Sequence, residues 1–206
     1  MPLSHPRLLL ITDSPLPANL VDLVNIALTG APFDLLLRDK TASEETLCAQ
    51  AHILIPILHR AGGRLLIHNR LDVAIHVNAD GLHLPETGLS TNQARQRLGP
   101  AKVLGRSCHA PAHACKHLLD GGDYVTLSPL FATASHPDAM PLGVNRFAAM
   151  RAQIPGPVLA LGGIDPHNVW KAHAAGASGV ALIRGLLHAP NPAQAAKELL
   201  APFGDH

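Results

Sequence analysis

The sequence predicts a closed (β/α)8 barrel, and two observations lead to that prediction. Eight short apolar runs alternate with longer segments of helical pattern along the chain, which is typical of parallel strands joined by helical crossovers. Eight such repeats within 206 residues fit a barrel with few insertions better than the competing architecture, an open doubly wound sheet. We therefore expect one domain over residues 1–206.

The eight predicted strands are separated by segments with recognisable helix ends. Ser90 and Gln93 match a capping box, and Asp165 and Asn191 each precede a proline suited to the first position of a helix. Three glycines stand where helices are expected to end: Gly30, Gly121 and Gly176. The predicted strands span residues 7–12, 33–37, 64–68, 80–84, 102–105, 123–127, 157–161 and 178–183.

The composition argues against several classes of function. The formal net charge is +1 without a dense run of Lys or Arg, so neither a nucleic acid nor a membrane is an expected partner. Three cysteines without CxxC spacing favour a reducing compartment over a disulfide framework. The apolar stretch at the N-terminus is short and is interrupted by Asp13, unlike a signal peptide. We expect a cytoplasmic protein.

Polar residues gather where the predicted strands end. Barrel enzymes place their chemistry at the carboxyl ends of the strands, so residues far apart in sequence are expected to meet on one face. Glycines after strand 7 and a basic residue after strand 8 predict a phosphate site there, because glycine lets backbone amides approach an anion closely. The predicted phosphate-binding residues are Gly162, Gly163, Ile183 and Arg184. A tight turn would also explain the glycine pair, but its position in the eightfold pattern favours phosphate.

Five segments resemble one known family, and they occur in the family's order along nearly the whole chain. They are LLLRDK, LLIHNRLDVAIHVNADGLHLPE, GRSCHAP, GGDYVTLSPLFATASHP and LALGGIDPHNV. The chain resembles the thiamine phosphate synthase / TenI (thiazole tautomerase) family. The resemblance implies a (β/α)8 barrel of thiamine biosynthesis that takes a small phosphorylated thiazole substrate, with a homodimer as a possible assembly.

The family has two branches, and the metal site distinguishes them. The synthase branch couples hydroxymethylpyrimidine diphosphate to thiazole phosphate with magnesium, and it has aspartates at the positions of Asn69 and Gly88. An amide and a glycine are poor replacements for carboxylate ligands. The synthase branch also has a glutamine at the position of Leu36 and a lysine at that of His136. Residues of the thiazole phosphate half are retained: Thr133, Gly162 and Gly163.

The tautomerase branch resembles this chain more closely. It lacks the metal aspartates and carries a GRS-x-H motif after strand 5, which runs here from Gly105 to His109. The resemblance therefore implies a metal-free tautomerisation of a carboxylated dihydrothiazole phosphate, with His109 as general acid/base and no cofactor. Arg38 or Lys40 would hold the carboxylate. The other predicted substrate-binding residues are Asn69, Ser107, Thr133 and His136.

Three alternatives stay open. The first is a thiamine phosphate synthase that uses magnesium and tolerates the lost carboxylates. The second is a barrel that binds thiazole phosphate or thiamine phosphate without catalysis. The third is a zinc-dependent hydrolase with His68, His83 and His109 as ligands, because these histidines end three successive strands.

Overall fold

A computed structural model of the protein describes residues 5–133 and 138–204. Eight parallel strands close into a barrel in chain order, with the last strand paired to the first. This confirms the predicted fold class. The strands are β1 (Leu8–Ile11), β2 (Asp34–Leu37), β3 (Leu65–His68), β4 (Gly81–Leu84), β5 (Val103–Cys108), β6 (Tyr124–Leu127), β7 (Val158–Leu161) and β8 (Gly179–Leu182).

A helix follows each strand, and β8 is followed by two. The predicted capping box of Ser90 is present, and the Asn191 side chain accepts a hydrogen bond from the Gln194 amide. Each of the three predicted terminal glycines lies just beyond the end of a helix. The helices are α1 (Leu20–Leu28), α2 (Glu44–Arg60), α3 (Leu71–His76), α4 (Thr91–Leu98), α5 (Pro111–Leu119), α6 (Gly143–Arg151), α7 (Val169–Ala174), α8 (Arg184–Leu187) and α9 (Pro192–Leu200).

Two predicted boundaries are wrong. Strand β5 continues past residue 105, because Ser107 and Cys108 pair with the neighbouring strand β6. Helix α7 begins at Val169 rather than at the proline after Asp165. The Asp165 carboxylate instead accepts hydrogen bonds from the amides of His167 and Asn168, and it closes a turn in front of the helix.

Side chains alternate between the barrel interior and the layer of helices. Tyr124 fills part of the interior beside Gly105, where a Cβ atom would lie 2.2 Å from the tyrosine ring. The barrel is therefore a packed core rather than a channel. The apolar interior residues are Leu9, Ile11, Leu36, Leu66, Val103, Tyr124, Leu159 and Ala181.

Within the described ranges, no helix has the length and apolar character needed to cross a membrane. The cytoplasmic location, the extent of one domain over residues 1–206 and the homodimer stay predictions.

Candidate active site

A cavity of about 670 Å³ lies at the carboxyl ends of β5 to β8. Its volume lies in the range of pockets that hold small molecules. Six of the predicted site residues line it together: His109, Thr133, Gly162, Gly163, Ile183 and Arg184. His136 lies outside the described residues, so its predicted contact stays a prediction.

The glycine pair after β7 packs against the loop after β6. Gly162 and Gly163 have φ angles of +104° and +63°, in the left-handed region that favours glycine. A Cβ atom on Gly162 would lie 2.8 Å from Cβ of Pro129, and one on Gly163 would lie 2.3 Å from the carbonyl oxygen of Ala132. Both the backbone conformation and the close packing therefore require glycine at these positions.

The carbonyl groups of this loop are bonded to the protein, and this sets the direction of its amides. The Gly162 carbonyl accepts from the Phe131 amide at 3.0 Å, and the Gly163 carbonyl accepts from the Asn168 side chain at 2.8 Å. Because the C=O and N–H of a trans peptide point in opposite directions, the amides of Gly163 and Ile164 point away from these partners. Both residues line the cavity, and such amides are suited to binding an anion.

Arg184 supplies a positive charge to the same cavity. Its Nε atom lies 3.3 Å from Oδ2 of Asp13, which follows β1. The Arg184 side chain is 51% exposed, so water screens this ion pair. The arrangement offers a guanidinium beside the backbone amides of the β7 loop.

The His109 side chain faces this cavity from the end of β5. Its Nδ1 atom lies 3.0 Å from the carbonyl oxygen of Ser128. A carbonyl can only accept, so Nδ1 carries a hydrogen. In neutral His109 the lone pair is therefore on Nε2, which is the atom able to take a proton from a ligand.

Glu86, on the loop after β4, is a site residue that the sequence did not reveal. Its Oε1 atom accepts from the His109 amide at 3.1 Å and from Nδ1 of His113 at 3.0 Å. Oε2 lies 3.9 Å from Nε2 of His109. Burial raises the pKa of the Glu86 carboxyl, but the hydrogen bonds from His113 and His109 outweigh burial and leave this pKa below its usual value.

A polar network inside the barrel joins the buried residues His83 and Tyr124 to half-buried Ser107. His83 contacts the Tyr124 hydroxyl through Nδ1 at 2.9 Å and Oγ of Ser107 through Nε2 at 3.0 Å. Burial lowers the pKa of His83 well below its usual value, so this ring is neutral. Ser107 does not line the cavity, and both ring nitrogens of His83 are engaged. In residues 5–133 and 138–204 no group of three or more His, Cys, Asp or Glu side chains could hold a metal, which argues against the zinc hydrolase hypothesis.

Three predicted substrate-binding residues lie at the ends of β2 and β3, and none of them lines the cavity: Arg38, Lys40 and Asn69. Burial, together with the charges of Arg38 and Lys40, lowers the pKa of His68 to about 4. Strand β2, which Arg38 follows, is paired with β3, which ends at His68, so the two cations follow the neighbouring strand end. The predicted carboxylate contact of Arg38 or Lys40 would require a ligand that extends beyond the cavity.

The residues at the family's metal positions do not fit a magnesium ion held by carboxylates. Asn69 presents an amide, and Gly88 has no side chain. Gly88 also has a φ of +113°, a conformation that an aspartate rarely adopts. Leu36 is buried in the barrel interior. The part of the site that would hold magnesium and diphosphate in the synthase branch therefore lacks its carboxylate chemistry here.

The family described as "Thiamine monophosphate synthase" (TMP-TENI) matches residues 8–186. The chain belongs to this family. Membership places it among the enzymes of thiamine biosynthesis and confirms the resemblance inferred from the sequence motifs.

Relatives in this family carry the name of the synthase. A protein of Geobacter sulfurreducens named "Putative thiamine-phosphate synthase" is 39% identical over 184 residues, which cover 89% of this chain and 86% of that protein. The thiamine-phosphate synthase of Chlorobium luteolum is 37% identical, covering 95% and 92% of the two chains. These names support the coupling reaction better than the predicted tautomerisation.

The solved structures agree on the fold. Thiamine phosphate pyrophosphorylase from Pyrococcus furiosus superposes with a TM-score of 0.84 at 26% identity, covering 96% of this chain and 95% of that one. A 3-hexulose-6-phosphate synthase superposes with a TM-score of 0.67 at 15% identity, over 96% of this chain and the whole of that one. The second similarity shows the shared barrel alone.

Proposed function

We propose that this member of the thiamine monophosphate synthase family binds a phosphorylated thiazole in the cavity and isomerises it, with His109 as general acid/base. The observation that carries the proposal is the placement of His109 in one cavity with the Gly162–Gly163 loop and Arg184. A phosphate held by the loop amides and Arg184 would position the thiazole ring by means of a remote group. His109, which lines the same cavity, would then act on the ring.

The reaction requires a proton transfer and no other reagent. Nε2 of His109 would take a proton from one carbon of the dihydrothiazole. The electron pair of that C–H bond enters the conjugated system and shifts the double bonds, and protonated His109 then returns a proton to a second carbon. No atom or electron is gained or lost overall. A positioned acid/base of this kind typically contributes roughly 10²–10⁴-fold to the rate.

The coupling of hydroxymethylpyrimidine diphosphate with thiazole phosphate is the second candidate. The names of the Geobacter and Chlorobium relatives favour it, as they are 39% and 37% identical to this chain. The amide of Asn69 and the missing side chain of Gly88 count against it, because magnesium is normally held by carboxylates together with substrate phosphates. Both candidates use the same thiazole phosphate half of the site.

Two parallel assays separate the candidates. The purified chain is given the carboxylated dihydrothiazole phosphate without magnesium, and separately the two coupling substrates with magnesium. We expect isomerisation in the first assay and no thiamine phosphate in the second. Magnesium-dependent thiamine phosphate formation without isomerisation would replace the first candidate by the second, and ligand binding without either reaction would identify a binding protein.

Variants connect the activity to His109. His109→Ala is expected to lose roughly 10²–10⁴-fold in kcat while still binding the thiazole product. His76→Ala, which removes an exposed histidine from the last turn of α3, is the matched control and should retain the wild-type rate. An unchanged rate in His109→Ala would contradict the proposed role of this histidine.

A further inference from the structure

Asp39 lies between two cations, and its carboxylate joins the loop after β2 to the loop after β1. Arg38 and Lys40 flank it in the sequence, directly after the end of β2. We infer that Asp39 is a positioning residue, which fixes the loop that carries Arg38 and Lys40 so that both can bind a second anionic group of the ligand. This inference rests on the proposed function, because it takes the substrate carboxylate as that group. It does not depend on which residue transfers the proton.

The Asp39 carboxylate accepts hydrogen bonds from both loops. Within its own loop, Oδ1 accepts from the amide and the hydroxyl of Thr41 at 2.9 Å and 2.8 Å, and from the Ala42 amide at 3.3 Å. From the β1 loop, Oδ1 accepts from the Ser14 hydroxyl at 2.8 Å, and Oδ2 accepts from the Leu16 amide at 3.2 Å. These hydrogen bonds, above all that of the Thr41 amide, hold the pKa of the Asp39 carboxyl well below its usual value, so the group is ionised at neutral pH.

The backbone on either side of Asp39 is bonded to the same β1 loop. The buried Thr12 hydroxyl accepts from the Arg38 amide and donates to the Arg38 carbonyl oxygen, both at 2.8 Å. The Lys40 amide donates to the Ser14 hydroxyl at 3.1 Å. In the part of the chain that the structure describes, neither the Arg38 nor the Lys40 side chain is hydrogen-bonded or ion-paired. The backbone of both residues is therefore fixed, while their charges remain available to a ligand.

The β1 loop also contacts the phosphate half of the site. Oδ2 of Asp13 lies 3.3 Å from Nε of Arg184, which lines the cavity, and Oδ1 of Asp13 accepts from the Ser14 amide at 3.0 Å. Ser14 is therefore bonded to Asp13 through its amide and to Asp39 through its hydroxyl. Consecutive residues of one loop thus connect the guanidinium in the cavity to the loop that carries the two further cations. A ligand with its phosphate beside Arg184 would meet those cations at a fixed place.

Charge and position predict opposite effects of removing the Asp39 carboxylate. The negative charge repels a bound anion, so charge alone predicts tighter anion binding once it is removed. Positioning predicts weaker binding, because a β2 loop that has lost its bonds to the β1 loop must be ordered when the ligand binds. The direction of the change in affinity therefore distinguishes the two roles.

The test compares calorimetric titrations of the full chain with two ligands, carboxylated thiazole phosphate and thiazole phosphate. We expect the wild type to bind the carboxylated ligand roughly 5-fold to 30-fold more tightly. Asp39→Asn removes the charge and the acceptor for the Leu16 amide, and should reduce this ratio to about 2-fold without changing the affinity for thiazole phosphate. Ser14→Ala removes the hydroxyl between the two loops and should lower the ratio in the same direction. Asp22→Asn, exposed in the first turn of α1, is the matched control and should keep the wild-type ratio.

The outcomes distinguish this inference from the proposed function. An unchanged or larger ratio in Asp39→Asn would overturn the positioning role, because the carboxylate would then act through its charge alone or not at all. An equal loss of affinity for both ligands would also overturn it, since it would show a general structural role. Equal affinity of the wild type for the two ligands would overturn the inference and leave thiazole phosphate binding intact. Failure of the wild type to bind either ligand would overturn the proposed function together with this inference.

Discussion

Replacing Arg184 with glutamine should weaken phosphate binding in the cavity without unfolding the barrel. A charge-assisted hydrogen bond typically contributes about 1.5–3 kcal/mol. The Arg184 side chain is 51% exposed and already lies 3.3 Å from the Asp13 carboxylate, so screening reduces its contribution to roughly 1–2 kcal/mol. We therefore expect the dissociation constant for phosphate to rise about 5-fold to 30-fold.

Asp13→Asn should change phosphate affinity in the opposite direction to Arg184→Gln. The Asp13 carboxylate competes with a bound phosphate for the guanidinium and repels its charge, whereas an asparagine would still accept from the Ser14 amide. An exposed ion pair typically contributes about 0.2–1 kcal/mol. Removing the competing charge should therefore tighten phosphate binding by roughly 1.4-fold to 5-fold.

Calorimetric titration with inorganic phosphate and with thiazole phosphate measures both effects. The difference in phosphate dissociation constant between Arg184→Gln and wild type should become smaller at high salt. Salt screens the charge of Arg184, because the Debye length falls from about 10 Å at 0.1 M to about 3 Å at 1 M. Arg60→Gln, at the exposed end of α2, is the matched control. Wild-type affinity in a folded Arg184→Gln variant, or weaker binding in Asp13→Asn, would refute the phosphate site as described.

Three further predictions concern the loop, the interior and pH. Gly163→Ala should lower Tm and phosphate affinity, because its Cβ would lie 2.3 Å from the Ala132 carbonyl oxygen; wild-type values in thermal melting and titration would contradict this. Tyr124→Phe removes the hydroxyl partner of buried His83 and should cost about 1–3 kcal/mol of unfolding free energy in urea titrations. Burial lowers the pKa of His117 to about 4 from 6.5, so its contribution to stability is complete above pH 6.5 and is lost as the pH falls towards 4. Urea unfolding at pH 7 and pH 5 should show this loss, and His117→Gln should reduce the difference between the two pH values; an undiminished difference would exclude His117 as its source.

The strands could be predicted because their apolar runs are continuous and regularly spaced. Seven of the eight have both ends within one residue of the predicted ends. Strand β5 was predicted too short, because Arg106 and Ser107 interrupt its apolar pattern. Pairing with Val125 and Thr126 of β6 extends the strand, and pairing between strands is not visible in a local pattern.

The candidate site was predictable where one motif carries the chemistry. The glycine pair after β7 and the histidine after β5 were identified from their motifs and from the rule that places barrel sites at strand ends. Glu86 was not, because nothing in the sequence LPE marks it as a neighbour of His109. Glu86 and His109 are 23 positions apart in the chain. The hydrogen bond between the Glu86 carboxylate and the His109 amide can form only after the strands have closed into the barrel.

The amino-acid sequence by itself determined the barrel, the family and the set of residues at the strand ends, because periodicity and motifs are local properties of the chain. The tertiary structure decided which of these residues share a cavity. It placed His109 in one cavity with the glycine loop and Arg184, bonded Ser107 to buried His83 inside the barrel, and placed Arg38 and Lys40 outside the cavity. The physical reason is that strand register and the alternation of side chains set which neighbours meet, and both are fixed only when the barrel closes.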